Sequence, residues 1–196
     1  MPAFLRHPEE AAIIGRMLAG YGELEFLLCM CMRHALGGNL SKASRLLFRS
    51  RGEEQRLSIA DAILRPFYEE HGLEQIWVGA RRAIGSCKEL RNQYSHCHWF
   101  DDDELGLFFT NLEKGAKTPS GEIIIEFLHI DVPLLQRQEA YFRYAGNHLI
   151  YLENEQRRLA GNLRKNPFQV PPATDKPPRH NPPELHPIRR ITLGGE

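Results

Sequence analysis

The fold class depends on residues 11–38, AAIIGRMLAGYGELEFLLCMCMRHALGG. Apolar side chains recur in this stretch at steps of three and four residues, the spacing that places them on one face of an α-helix. The recurring positions are Ala11, Ile14, Leu18, Tyr21, Leu24 and Leu28. Pro8-Glu9-Glu10 is a helix-start signal, and Gly37-Gly38 is a stop signal. We therefore expect a long amphipathic helix in a mainly helical fold.

Helical spacing continues on the C-terminal side of this stretch. We expect a short helix from Ser41 to about Phe48, a helix from Gly52 that Pro66 bends or divides, a helix from Leu73 to about Trp99, and a helix that starts at Asp131 and runs to Leu159 or Leu163. This succession is typical of a helical bundle.

Two short apolar stretches interrupt the helices. Residues 107–110 and 123–127 have the composition of strands, and the connection between them, residues 114–121, is rich in Gly, Pro and Ser. We expect a β-hairpin at about residues 105–129, inserted between helices. An isolated hairpin is marginally stable, so it should pack against the bundle.

The C-terminal residues 164–196 are rich in proline and lack apolar periodicity. Such a composition is typical of an extended or disordered segment. We expect one helical-bundle domain at 1–163 and a tail at 164–196. The predicted fold class is mainly α: a helical bundle with an inserted β-hairpin and a disordered proline-rich C-terminal tail.

The charge balance excludes some classes of function. The 25 basic and 25 acidic residues give a formal net charge of zero, which argues against coating of nucleic acid or membrane through bulk charge. No apolar run reaches the length of about 18 residues that a membrane span needs, and the N-terminus lacks a secretory signal. We expect a cytoplasmic protein with no membrane association. Its four cysteines have no zinc-ribbon spacing, so we expect reduced thiols.

The most distinctive segment is LRNQYSH, residues 90–96, near the end of the fourth predicted helix. An arginine followed by a histidine at similar spacing also occurs at Arg65–His71, Arg91–His98, Arg143–His148 and Arg179–His186. The context distinguishes Arg91 and His96, because Asn92 directly follows the arginine and apolar neighbours hold the segment on a helix.

In this context LRNQYSH resembles the motif of HEPN domains. These are helical bundles in which an arginine, usually followed by a polar residue, and a histidine contribute to metal-independent RNA cleavage. The resemblance covers the motif and the succession of helices. One subgroup of HEPN toxins carries tyrosine two residues after the histidine and pairs with a nucleotidyltransferase antitoxin. This chain departs from that subgroup, because the position is His98.

The resemblance implies a metal-independent endoribonuclease or a toxin-type RNA-acting protein. Arg91 would bind the scissile phosphate, Asn92 would orient the catalytic groups, and His96 would act as base or acid. No cofactor and no metal would be needed. The site would be a composite one at the interface of a homodimer, RNA would be the substrate, and an antitoxin or other protein would be a further partner.

The side chains are consistent with this chemistry, but other interpretations stay open. Histidine exchanges protons near neutrality, and a guanidinium holds phosphate through two donors. On an ideal helix, however, residues five apart are about 140° out of phase, so Arg91 and His96 converge only at a distorted helix end or across a dimer. The alternative is a non-catalytic helical interaction or dimerisation protein in which both side chains stabilise the negative end of the helix dipole.

Two further features have ordinary alternatives. His96-Cys97-His98, with Asp101–Asp103, suggests a metal site, yet adjacent ligands rarely form one alone, and the acidic run fits a solvated turn. Basic residues at Arg81, Arg82, Lys88 and Arg91 suggest an RNA-contacting strip, yet a solvated helical face is commoner.

Overall fold

The computed structural model describes residues 2–117, 123–183 and 189–193. Helices dominate this part of the chain and are accompanied by a small antiparallel sheet, so the predicted mainly helical class is confirmed. The helices are α1 (Pro2–Arg6), α2 (Pro8–Ala35), α3 (Leu40–Phe48), α4 (Glu53–Glu70), α5 (Glu74–Ser95), α6 (Leu112–Ala116) and α7 (Val132–Leu159). The strands are β1 (His98–Asp102), β2 (Gly106–Thr110), β3 (Ile123–Ile130) and β4 (Arg189–Leu193).

The long helix begins and ends where the sequence predicts. Helix α2 starts at Pro8, and Gly37 and Gly38 follow its last turn with φ angles of 70° and 85°. These positive angles let the chain reverse, and the Gly38 N–H donates to the Arg33 carbonyl at 2.9 Å. The two glycines therefore act as the helix stop.

Helices α3 and α4 differ in detail from the prediction. Asn39, and not Ser41, caps α3: its side chain accepts a hydrogen bond from the Lys42 N–H at 2.8 Å. Asparagine is among the best N-cap residues, and its use starts the helix two residues earlier than predicted. Helix α4 continues through Pro66 to Glu70 and is not divided there.

The predicted hairpin is part of a sheet in the order β1-β2-β3-β4. Strands β2 and β3 pair as expected, but the connection between them contains α6. Strand β1 replaces the predicted end of the fourth helix, because α5 ends at Ser95 and Trp99 pairs with Phe109 of β2. Cross-strand aromatic pairs stabilise sheets, and this pairing is a long-range contact that helical periodicity does not reveal.

The proline-rich tail is irregular over residues 160–183, in keeping with its composition. It nevertheless makes specific contacts, which go beyond the prediction of disorder. Asn181 is buried, and its N–H donates to the His129 carbonyl at 2.9 Å. Further along, β4 pairs with β3, with Ile191 opposite Ile125.

The described residues fall into two compact units. The sheet unit comprises residues within Met1–Leu18, Leu90–Glu139 and Pro177–Glu196, and the helical unit comprises Ala19–Glu89 and Ala140–Lys176. Fully buried side chains of the sheet unit include Leu107, Ile130 and Leu134. Those of the helical unit include Met32, Leu64, Tyr68, Trp77 and Leu149. Among the helices described, none is long and apolar enough to cross a membrane.

Candidate functional site

The segment Arg91–His96 lies at the C-terminal end of α5, in the sheet unit. Leu90 and Tyr94 are 1% and 3% exposed, respectively. Because they are four residues apart, both point from the same face of the helix into the core. Arg91 and Asn92 are only partly buried.

Tyr94 holds this end of the helix in place. Its hydroxyl donates to Gln138 Oε1 of α7 at 2.6 Å, and its ring stacks on Trp99 with centroids 5.7 Å apart. The ring centroids of Trp99 and Phe109 are in turn 5.9 Å apart. Burial raises the pKa of the Tyr94 hydroxyl well above its usual value, so it remains a neutral donor. The aromatic cluster of Tyr94, Trp99 and Phe109 therefore anchors the end of α5 that carries the motif.

Arg91 and Asn92 are in direct contact. The Arg91 Nη1 group donates to the Asn92 side-chain oxygen at 2.9 Å. A guanidinium is planar and carries its donors in a fixed fork, so one bond to a neighbouring amide restricts the directions of the others. Two of the three predicted site residues are thus hydrogen-bonded to each other.

His96 is exposed and lies just outside the helix, in the connection from α5 to β1. The phase difference of an ideal helix therefore does not determine its position relative to Arg91. Its surroundings include α6: Lys117 lowers the pKa of Glu113, and His96 adds a smaller electrostatic contribution. An exposed imidazole can exchange a proton with a bound substrate.

Neighbouring side chains satisfy carbonyls at the end of α5. The Ser95 hydroxyl donates to the Asn92 carbonyl at 3.3 Å, and the Cys97 thiol donates to the Tyr94 carbonyl at 3.5 Å. The Gln93 side chain donates instead to the tail, at the Arg179 carbonyl, over 2.8 Å. Two capping bonds of this helix end therefore come from Ser95 and Cys97.

The metal interpretation has no support in the described residues, which contain no group of three His, Cys, Asp or Glu side chains arranged to hold an ion. Asp101 and Asp103 both form ion pairs with Arg6. Asp102 Oδ1 accepts a hydrogen bond from the Glu104 N–H at 3.0 Å and so shapes the turn between β1 and β2. The acidic run has a structural explanation.

Two members of the basic strip on α5 are paired with carboxylates in the helical unit. Arg81 Nε lies 3.3 Å from Asp61 Oδ2, and Lys88 forms an ion pair with Glu54. Paired charges attract a phosphate chain less strongly than unpaired ones. The strip is thus a weaker candidate RNA surface than the sequence suggests.

No motif marks α3 in the sequence, yet the structure places a basic cleft there. Lys42, Arg45 and Arg49 line it. Their spacing of three and four residues puts them on one side of a helix, and this pattern was the available sequence signal.

Comparison with family models, with curated proteins and with solved structures finds no match to this chain.

Proposed function

We propose that this chain is a HEPN-like RNA-acting protein that cleaves RNA without a metal ion, with Arg91 and His96 as its catalytic residues. One observation carries the proposal: a hydrogen-bonded, partly exposed guanidinium and an exposed imidazole lie five residues apart at a helix end that Tyr94 anchors to α7. The hydrogen bond from Arg91 to Asn92 supports the assignment of Asn92 as a positioning residue.

The reaction follows from the chemistry of these groups. His96, as general base, would take the proton of a ribose 2′-hydroxyl, and the 2′-oxygen would then attack the adjacent phosphorus. The bond from phosphorus to the 5′-oxygen would break, and a general acid would return a proton to that oxygen. The products are a 2′,3′-cyclic phosphate and a 5′-hydroxyl. Arg91 would hold the phosphate oxygens while negative charge builds on them.

A homodimer would supply the second proton-transfer group. One imidazole cannot take a proton and give one at the same instant, whereas His96 from a second copy of the chain would provide the acid. We therefore propose a composite site built from two copies, as the resemblance to HEPN domains implies. A protein partner such as an antitoxin would act by covering this site.

The test is an RNA-cleavage assay in EDTA with the full chain. We expect the wild type to cleave, and His96→Ala and Arg91→Ala each to lose at least about a hundredfold in rate. Asn92→Ala should lose less, because it changes only the orientation of Arg91. Product ends would be identified by mass spectrometry as cyclic phosphates.

The matched controls are His98→Ala and Arg143→Ala, which remove an exposed histidine and an exposed arginine from pairs with similar spacing. Both should cleave at the wild-type rate. Cleavage that persists in His96→Ala, or no cleavage by the folded wild type, would refute the catalytic assignment. The second result would leave the non-catalytic interaction protein as the better explanation.

A mixing experiment tests the composite site. Chains that carry His96→Ala, when mixed in excess with wild-type chains, would place most wild-type chains in dimers whose composite site has a single His96 imidazole. Cleavage per wild-type chain should then fall toward that of the variant. If each site were contained within one chain, cleavage per wild-type chain would not change.

A further inference from the structure

A cleft with a volume of about 690 Å³ lies between α3 and the start of α4, in the helical unit. Its lining comprises Asn39, Ser41, Lys42, Arg45, Leu46, Arg49, Ser50, Gln55 and Ile59. None of these side chains is a carboxylate. A chain with as many acidic as basic residues therefore contains a cleft lined only by positive and neutral groups.

The amphipathic pattern of α3 produces this charge. Ala43 and Leu47 are fully buried and fix one side of the helix against the core. Lys42, Arg45 and Arg49 project from the other side and are exposed. In the described part of the chain no carboxylate forms an ion pair with any of the three, in contrast to Arg56, which is paired with Glu25 at 2.7 Å.

The spacing of the three cations favours a chain of phosphates over a single anion. At 1.5 Å of rise per residue, Lys42 and Arg49 are about 10 Å apart along the helix axis. Cations distributed over this length contact successive phosphates of a polyanion, whereas a single phosphate would need them to converge on one point.

Neutral polar groups complete the cleft. Ser41 and Gln55 offer a hydroxyl and an amide, which can bond to phosphate oxygens or to a ribose 2′-hydroxyl, while the Asn39 side chain caps α3. The Ser50 hydroxyl is buried and has no hydrogen-bond partner among the described residues.

Apolar surface lies beside the cations. Leu46 lines the cleft and is 39% exposed, and the neighbouring Phe48 ring is 46% exposed. Arg56 lies over the Phe48 ring at 5.7 Å from its centroid, and the ion pair with Glu25 fixes Arg56. An anchored aromatic ring next to basic side chains is a common arrangement for contact with unstacked bases.

From these observations we infer that the cleft between α3 and α4 binds single-stranded RNA, with Lys42, Arg45 and Arg49 on successive phosphates. This inference goes beyond the proposed cleavage, and only its choice of RNA over DNA rests on the proposed function. It assigns strand binding to a surface that contains neither Arg91 nor His96.

The test is fluorescence anisotropy with a labelled single-stranded RNA of about 12 nucleotides, a length typical of such sites. All proteins in this assay carry His96→Ala, so that the proposed cleavage does not consume the RNA, and this chain stands for wild type here. It is compared with the triple variant Lys42→Gln, Arg45→Gln, Arg49→Gln over a range of salt concentrations. We expect the variant to bind about tenfold or more weakly, and the slope of log affinity against log salt to fall by about 2. A denaturing gel after each titration verifies that the RNA is intact.

The control variant removes three exposed cations elsewhere in the same unit: Arg143→Gln, Arg164→Gln, Lys165→Gln. It changes the net charge by the same amount, so its affinity should stay within about twofold of wild type if binding is local. Circular dichroism of both variants verifies that they are folded.

Four results would overturn the inference. The first is unchanged affinity in the folded α3 variant, and the second is an equal loss in the control variant, which would indicate general electrostatics. The third is displacement of the RNA by inorganic phosphate at a concentration too low to screen charge, which would indicate a site for a single anion. Equal affinity for single-stranded DNA of the same sequence would overturn the assignment to RNA. Because every protein in this assay lacks the His96 imidazole, the outcome of the cleavage assay does not bear on any of these results.

Discussion

Helices α3 and α5 both carry rows of basic side chains, but the two rows have different surroundings. On α5, Arg81 and Lys88 are paired with Asp61 and Glu54. On α3, the three cations line a cleft without carboxylates. The sequence draws attention to α5, where the motif is near, whereas the cations that line a cleft are on α3.

The spacing of charged residues along one helix predicts which face of the helix they share. It does not predict whether residues of other elements neutralise their charge. The carboxylates that neutralise the α5 row come from α4, about 20 to 35 positions earlier in the chain. Tertiary packing alone brings them close. We therefore expect mutations that break the ion pairs of α5 to lower the stability of the chain, and mutations of the α3 cations to lower its affinity for RNA.

The largest effect on stability should come from Asp61→Ala. Asp61 Oδ1 accepts from the Trp77 indole N–H at 2.9 Å and from Arg65 at 3.1 Å, in addition to the pairing with Arg81. Trp77 is fully buried, so the substitution leaves its N–H without a partner. We expect the free energy of unfolding, measured in urea, to fall by about 2 kcal/mol or more.

Two variants frame this prediction. Asp61→Asn keeps an acceptor for Trp77 and should lose roughly half as much, because only the charge is removed. Arg45→Gln on α3 should change stability by less than about 0.5 kcal/mol, as an exposed surface substitution does. Similar losses for Asp61→Ala and Arg45→Gln would contradict the contrast between the helices.

A middle-sized effect should follow from loss of the α3 cap. Asn39→Ala removes the acceptor for the Lys42 N–H and should destabilise the chain by about 1 kcal/mol. Since the first turn of α3 then frays, RNA affinity should fall as well. Asn39→Ser keeps a capping oxygen and should restore both. Affinity that falls equally in both variants would show that Asn39 contacts the ligand directly and does not act through the helix.

Local sequence predicts some elements of this fold and fails to predict others. Helix α2 is predicted from Pro8 to the Gly37 stop because periodicity, start and stop signals are all local. Strand β1 is not predicted, because Trp99 follows a helical stretch and becomes a strand residue only through pairing with Phe109. The contact of Asn181 with His129 is equally non-local.

The candidate site divides in the same way. Local sequence indicates Arg91, Asn92 and His96, and it places them at a helix end, where the structure has them. It does not predict that the helix stops at Ser95, which frees His96 from helical geometry. The spacing of the basic residues on α3 can be recognised in the sequence. The absence of carboxylates from the cleft cannot, because it depends on which residues of α4 face α3.

The smallest effect should come from Glu54→Gln, which removes the partner of Lys88. The Lys88 ammonium lowers the pKa of Glu54 below its usual 4.5. A lowered pKa in the folded state contributes stability above the unfolded value, and this contribution is lost as pH falls through the folded pKa. Glu54 is 72% exposed, so the wild type should exceed the variant by only about a few tenths of a kcal/mol at neutral pH, and this difference should disappear once the pH is well below the folded pKa.

The same variant probes the contrast between the helices, because it releases a cation on α5. Removing one neutralising carboxylate should raise RNA affinity by no more than about twofold, since Lys88 lies outside the cleft between α3 and α4. A gain comparable to the loss in the α3 triple variant would mean that α5 binds the strand once its charge is exposed. Ion pairing would then be the main difference between the two rows, and the shape of the cleft would contribute little.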